Sequence, residues 1–321
     1  MSCTKMIARL AAALLALTST TAVAQDHWVS SWATAQQLAP MPAPPPMPPR
    51  TAGSTRPAPP PPSGPWPIVP TPDTLEDQTV RMIVRPSIGG SQLRLQFSNA
   101  SGGAPVTIGR AHLARSAGKD GIVAATDRAV SFSGEASVTI QPGAIAISDP
   151  VSLDVAPLDL LAVSIHLPGK TAVNTLHPLG LRTTYVAKGD RTAAAALPGA
   201  ATNRSYFWLA GVEVLSPPTA GAIVAFGDSI TDGYATSPDA GRAWPDLLAA
   251  TLKRNPATEG LSVLNMGISG NRVRRDGAGL SALARFDRDV LARPGVRWMI
   301  LWKGSTTSTS PKFPASRRAK R

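Results

Sequence analysis

The stretch Ala222-Ile-Val-Ala-Phe-Gly-Asp-Ser-Ile-Thr-Asp-Gly233 decides the reading of this chain. Residues 222–226 form an apolar run of the length and composition of a buried parallel strand. The run ends on Gly227-Asp228-Ser229, and a helix is expected to start near Arg242. A serine at the carboxyl end of such a strand stands where open α/β sheets carry their chemistry. No histidine follows Ser229. The base that would activate its hydroxyl is therefore missing from the expected side of the sequence.

Working forward, helical spacing predicts a helix over 243–254, with Trp244, Leu247, Leu248 and Leu252 on one face. A strand over 262–265 follows. A second helix is expected over 280–293, where Leu283, Phe286, Val290 and Leu291 recur at helical spacing, and a last strand over 296–302. The order βαβαβ implies three parallel strands joined by right-handed crossovers. Trp244 and Trp298 fall on apolar faces and read as core, and Trp302 ends a strand beside the site.

Working backward, residues 78–215 read as all-β. Val80, Met82 and Val84 alternate with Arg81 and Arg85, and Leu93, Leu95 and Phe97 alternate with Arg94 and Gln96. Gly89-Gly90 lies between these runs and fits a tight hairpin. Short strands punctuated by Gly, Pro and Asp point to a jelly-roll-like β-sandwich, to which Trp28–Trp32 adds a strand. Between them, residues 40–72 hold 16 of the 32 prolines. Proline lacks a donor N–H and fixes φ, so that stretch reads as a polyproline spacer or a disordered insertion.

Residues 1–24 read as a secretory leader. Lys5 and Arg9 precede an apolar core at 10–17, and Ala22-Val-Ala24 forms a cleavage site that would leave Gln25 first. The expected location is secreted or periplasmic, with no membrane span after cleavage. The single cysteine, Cys3, leaves with the leader, so neither a disulfide nor a thiolate metal site is expected. The formal charge of +12 invites nucleic acid as a partner. However, Lys303, Lys312, Arg317, Arg318, Lys320 and Arg321 crowd a tail with no acidic residue. The body is only mildly basic, which argues against nucleic acid. The expected organisation is leader 1–24, first strand region 25–39, proline-rich insertion 40–77, sandwich 78–216, an incomplete α/β domain 220–302 and a disordered tail 303–321.

The Gly227-Asp-Ser-Ile-Thr-Asp-Gly233 block and Asn265-Met-Gly-Ile-Ser-Gly-Asn-Arg272 together resemble the GDSL or SGNH serine hydrolases. The resemblance implies a flavodoxin-like parallel-sheet domain behind a β-rich front module. Ser229 would be the nucleophile and its N–H, with that of Gly270, would stabilise an oxyanion. Gly227, Asp228 and Asn271 would support the turns. The implied activity is hydrolysis of small acyl esters, acetyl foremost, on a small molecule or a polysaccharide, with no cofactor and no metal. Asp228 and Asp232 resemble a carboxylate pair, but beside a tight turn such residues usually accept backbone hydrogen bonds. Arg272, Arg274 and Arg275 read as a solvated loop. His27, His112, His166 and His177 all precede Ser229 and none matches the family's base.

The family's third block, Gly-x-Asn-Asp, and its fourth, Asp-x-x-His, are absent. After Trp302 the chain reads Lys303-Gly-Ser-Thr-Thr-Ser. These residues can be encoded AAG GGG TCA ACG ACA TCG. One G restored after the Trp codon gives GAA GGG GTC AAC GAC ATC, which is Glu-Gly-Val-Asn-Asp-Ile. A one-base deletion after Trp302 therefore accounts for the missing block and for the tail's composition. Two readings result: an esterase impaired by truncation, or an inactive relic whose sandwich binds carbohydrate. Oligomeric state is open.

Overall fold

The computed structural model describes residues 25–38 and 71–303. The expectations for the leader, for most of the proline-rich stretch and for the tail beyond Lys303 lie outside them.

The longer elements are β1 (His27–Ala33), β2 (Gln78–Val84), β3 (Gly90–Ser98), β4 (Arg110–Gly118), β5 (Leu161–Leu167), β6 (Thr184–Lys188) and β7 (Leu209–Ser216). Two antiparallel sheets contain them. One runs β1-β7-β3 with short strands beyond β3, and the other places β6, β2, β5 and β4 side by side. Their facing sides bury one core that includes Val80, Met82, Leu95, Phe97, Leu113, Val163, Trp208 and Val212. Alternation in the sequence selects these residues, because successive side chains of a strand point to opposite faces.

Two expectations are corrected here. Gly89-Gly90 does not close a hairpin, since β2 and β3 belong to different sheets. The glycines cross between layers, where a Cβ on Gly89 would stand 2.1 Å from the Val155 carbonyl oxygen. Arg81 does not face solvent either. It is fully buried, and its guanidinium donates to Ser164 Oγ (2.8 Å) and to the carbonyls of Asp120, Thr192 and Ala194. Loops lie over the outer face of β2, so the alternation marks two environments rather than core and water.

The last third holds β8 (Gly221–Gly227), α1 (Ser229–Asp232), α2 (Trp244–Leu252), β9 (Leu261–Gly267), α3 (Ala282–Phe286) and β10 (Val296–Trp302). β8 is the central strand and pairs in parallel with both β9 and β10. The one-turn helix α1 lies where only a turn was expected. The helices are shorter than their periodicity suggested. Beyond α3 the chain continues as wide π turns, Asp287–Leu291. The buried face carries Ala282, Arg285, Asp289, Val290 and Arg293, while Leu283 and Leu291 are exposed. On α2, Leu247 is exposed, while Trp244, Leu248 and Leu252 pack beside Ala225, Ala249 and Val263.

β1 seals the two parts together. It pairs with β7, and the next residues bridge Thr34 to Asn265 of β9. Val29, Ala33 and Ala35 join the core of the parallel sheet. Four buried serines knit the seam. Ser262 Oγ donates to Ser30 O (2.5 Å), Ser31 Oγ to Ile88 O (2.7 Å), and Ser87 Oγ to Ser31 O (2.8 Å) while accepting from Val263 N (2.9 Å).

Trp298, expected in the core, is 49% exposed, and Trp302, Leu301, Ile300 and Met299 are exposed with it. β10 has β8 on one side and, among the described residues, no strand on the other; its contact with the π turns Asp287–Leu291 leaves residues 297–302 exposed. An unpaired apolar edge templates association between chains. Ile300→Lys should therefore reduce light scattering on concentration and leave the melting temperature unchanged; scattering equal to wild type would count against the edge as the source.

Candidate functional site

Ser229 opens α1 at the carboxyl end of β8. Asp228 caps the helix, its carboxylate accepting from Ile230 N (3.2 Å), and the amides of Gly233 and Tyr234 donate to Ser229 O. α1 packs tightly on the strand it leaves. A Cβ on Gly227 would lie 2.0 Å from Thr231 Oγ1 and 2.6 Å from the Trp302 carbonyl oxygen, so no larger residue fits there. Gly270 follows β9 with φ of +77°, a conformation that costs other residues about 1–3 kcal/mol. Gly227 and Gly267 are register partners, so Ser229 and Gly270 leave the same end of adjacent strands. Among the described residues, the amides of Ser229 and Gly270 make no backbone hydrogen bond. The half-buried Ser229 hydroxyl has no hydrogen-bond partner there either.

Two buried networks hold this end of the sheet. The first centres on Arg285, which is wholly buried. It donates to Gly227 O (3.0 Å), Met266 O (2.9 Å), Asn271 Oδ1 (3.1 Å) and Asp289 Oδ2 (3.0 Å), and it stacks 4.1 Å from the centre of the Phe226 ring. Asn271, placed by the sequence in a supporting role, spans its loop by donating to Ala278 O (3.1 Å) and Leu280 O (2.7 Å). Lys303 Nζ donates to Asn271 Oδ1 (2.6 Å) and Gly227 O (3.1 Å). Burial, helped by nearby Arg285, pushes its pKa down to about 8.

The second network centres on Asp232, which is 3% exposed. One carboxylate oxygen accepts from Ser269 N (2.7 Å) and Ser269 Oγ (2.6 Å). The other accepts from His177 Nε2 (2.9 Å), and His177 Nδ1 lies 2.8 Å from Ala35 O. Both imidazole nitrogens face acceptors, so the ring donates twice when protonated. Burial alone would lower the His177 pKa. The Asp232 charge and the carbonyls of Ala35 and Leu179 outweigh it and hold the pKa above its ordinary value. Asp232 thus does more than accept backbone bonds, which was the role expected of it. Sequence reasoning missed Arg285 and His177. The first reads as an exposed helical Arg until the carbonyls of Gly227 and Met266 are seen to need it, and the second lies 55 residues from its partner.

The remaining candidates fall elsewhere. His112 pairs with Asp127 (2.9 Å) and His166 with Asp77 (3.1 Å), both in the sandwich. His27 lies on β1. Arg272, Arg274 and Arg275 are exposed. None of the four histidines bonds to Ser229.

Residues 223–315 match the family model for GDSL-like Lipase/Acylhydrolase. This segment is similar to the GDSL-like family. The match begins inside β8 and takes in Ser229, Gly270 and Asn271. The comparison with curated proteins gives no match. The sandwich lies outside the matched residues, yet it supplies His177 to the buried network beneath Ser229.

The raised His177 pKa fixes a pH dependence. Between the unfolded and folded values the folded state holds the extra proton, so its contribution is full below about 6.5 and is lost as pH rises through the raised folded value. Urea unfolding across this window should show wild-type stability falling with pH. His177→Ala should flatten that slope and cost about 3–5 kcal/mol on the acid side, because Asp232 is left buried and unpaired. An unchanged slope would remove His177 as its origin.

Proposed function

We propose that the chain is an exported serine esterase of the GDSL type that removes small acyl groups, acetyl foremost, from a carbohydrate. The observation that carries this reading is the pairing of a free hydroxyl, Ser229, with two unengaged amides at the carboxyl ends of neighbouring parallel strands. The Ser229 oxygen attacks the acyl carbon, and negative charge develops on the former carbonyl oxygen. The amides of Ser229 and Gly270 are the donors for that charge, each worth roughly 3–4 kcal/mol of barrier. Arg285 and Asp232 hold the two amides in place by fixing the strand ends and loops that carry them.

The hydroxyl also needs a base. His177 does not serve, since both its nitrogens are committed to Ala35 and Asp232. The Asn and the Asp-x-x-His of the family pattern do not occur in this sequence. We attribute their absence to the single-base deletion after Trp302. As written, the chain retains only the oxyanion donors. The second reading, a glycan-holding relic, draws support from the self-contained core of the sandwich.

A chromogenic acetyl ester separates the two readings. The chain as written is expected to turn over slowly. The gene carrying one G restored after the Trp302 codon should be faster by roughly a thousandfold or more, as triad logic requires. Ser229→Ala should abolish the gain. Equal rates for the two genes would sink the deletion, and turnover that survives Ser229→Ala would sink the nucleophile. Retention on acetylated glycan without turnover in either form would establish the relic.

A further inference from the structure

A cavity of about 60 Å³ lies at the seam between the sandwich and the parallel-sheet domain. Three arginines line it: Arg85, which follows β2; Arg182, which precedes β6; and Arg242, which precedes α2. Arg182 is 9% exposed and Arg85 is half-buried. A Cβ placed on Gly241 would lie 3.0 Å from Arg85 Nη1 and 3.3 Å from Arg182 Nη2. The tips of two guanidinium groups therefore converge on one point. Each has a single modest anchor elsewhere, Arg85 Nε on Leu158 O (3.2 Å) and Arg182 Nη1 on Asp239 O (3.4 Å).

Among the described residues, the nearby carboxylates form no ion pair with them. Asp239 is occupied by Thr183 N (2.9 Å) and Thr183 Oγ1 (2.7 Å). Asp232 is occupied by His177 and Ser269. Asp246, which also lines the cavity, feels the charges of Arg182 and Arg85 but forms no ion pair with either. Among the described residues, neither Arg85 nor Arg182 makes an ion pair. Bringing two cations together in a partly dehydrated space is costly unless an anion lies between them.

We propose that this seam cavity is a binding site for a small oxyanion, a carboxylate or a phosphoryl group, gripped by Arg85 and Arg182 and reached past the exposed Arg242. The guanidinium fork matches both anions, each of which offers two acceptor oxygens in one plane. The space holds more than one water-sized group, which suits such an anion. A bound anion would tie the segment after β2 to the segment before β6, next to Arg242 from the other side of the seam. This proposal rests on the seam geometry and stands whether or not the chain hydrolyses esters.

Calorimetric titration of the full chain at low ionic strength tests it, with inorganic phosphate and sodium acetate as separate ligands. Saturable one-site binding of at least one is expected. Phosphate alone assigns a phosphoryl group, acetate alone a carboxylate, and both the shared chemistry. Arg85→Gln and Arg182→Gln should each weaken binding by roughly tenfold or more, as loss of a charge-assisted bond does. Arg272→Gln, on the exposed loop, should bind as wild type. Should Arg182→Gln fail to fold, Arg85→Gln decides alone, since that side chain is half-buried. The proposal is overturned by absence of saturation with both ligands, by wild-type affinity in Arg85→Gln, or by an equal loss in Arg272→Gln.

Discussion

The carboxylate of Asp232 is the point on which the site depends. It sits three residues after Ser229 on the same short helix, and it accepts from the backbone and hydroxyl of the residue just before Gly270. One side chain therefore sets the distance between the two loops that carry the candidate oxyanion donors. Its remaining oxygen is held by His177, from a different part of the chain. A four-residue helix has no stability of its own, because nucleation outweighs so few hydrogen bonds. α1 exists because its first residue is capped by Asp228, its last is clamped by Asp232, and Gly227 lets it lie against the strand.

Arg285 plays the matching part for the strands. Parallel strand ends leave carbonyls that need donors, and buried ones cannot be left unpaired. Arg285 supplies donors to Gly227 and Met266 at once and is kept in place by Asp289 and the Phe226 ring. The π turns after α3 present Asp289 and Arg293 to the same interior, and Arg293 reaches Gln96 of the sandwich at 2.8 Å. A polar interior of this kind costs burial energy and gains a defined geometry, which a site needs more than it needs stability.

Local motifs were legible in the sequence. The apolar run before Gly227, the glycine at 270 and the strand over 296–302 could each be read from neighbours within a few residues, and the structure places them as strand, positive-φ turn and strand. What depended on distant partners was not legible. Arg81 looks solvent-facing until the loops over it are known. Gly89-Gly90 carries the chemistry of a hairpin, yet the strands on either side belong to different layers. Leu283 and Leu291 keep α-helical spacing, yet the buried face centres on the polar pair Arg285 and Asp289. Trp298 reads as core because its composition is that of a covered strand. His177 gave no local signal, since its meaning comes from a carboxylate far along the chain.

The first strand has its own lesson. Its hydrogen-bond partners stand at the far end of the polypeptide: Ser30 meets Ser262 across 232 positions, and His27 pairs with Ser216. During synthesis β1 emerges first and waits until nearly everything else has been made. Contacts so distant in sequence delay collapse and leave the nascent chain open for a long interval. The strands that arrive last therefore decide when the first one closes.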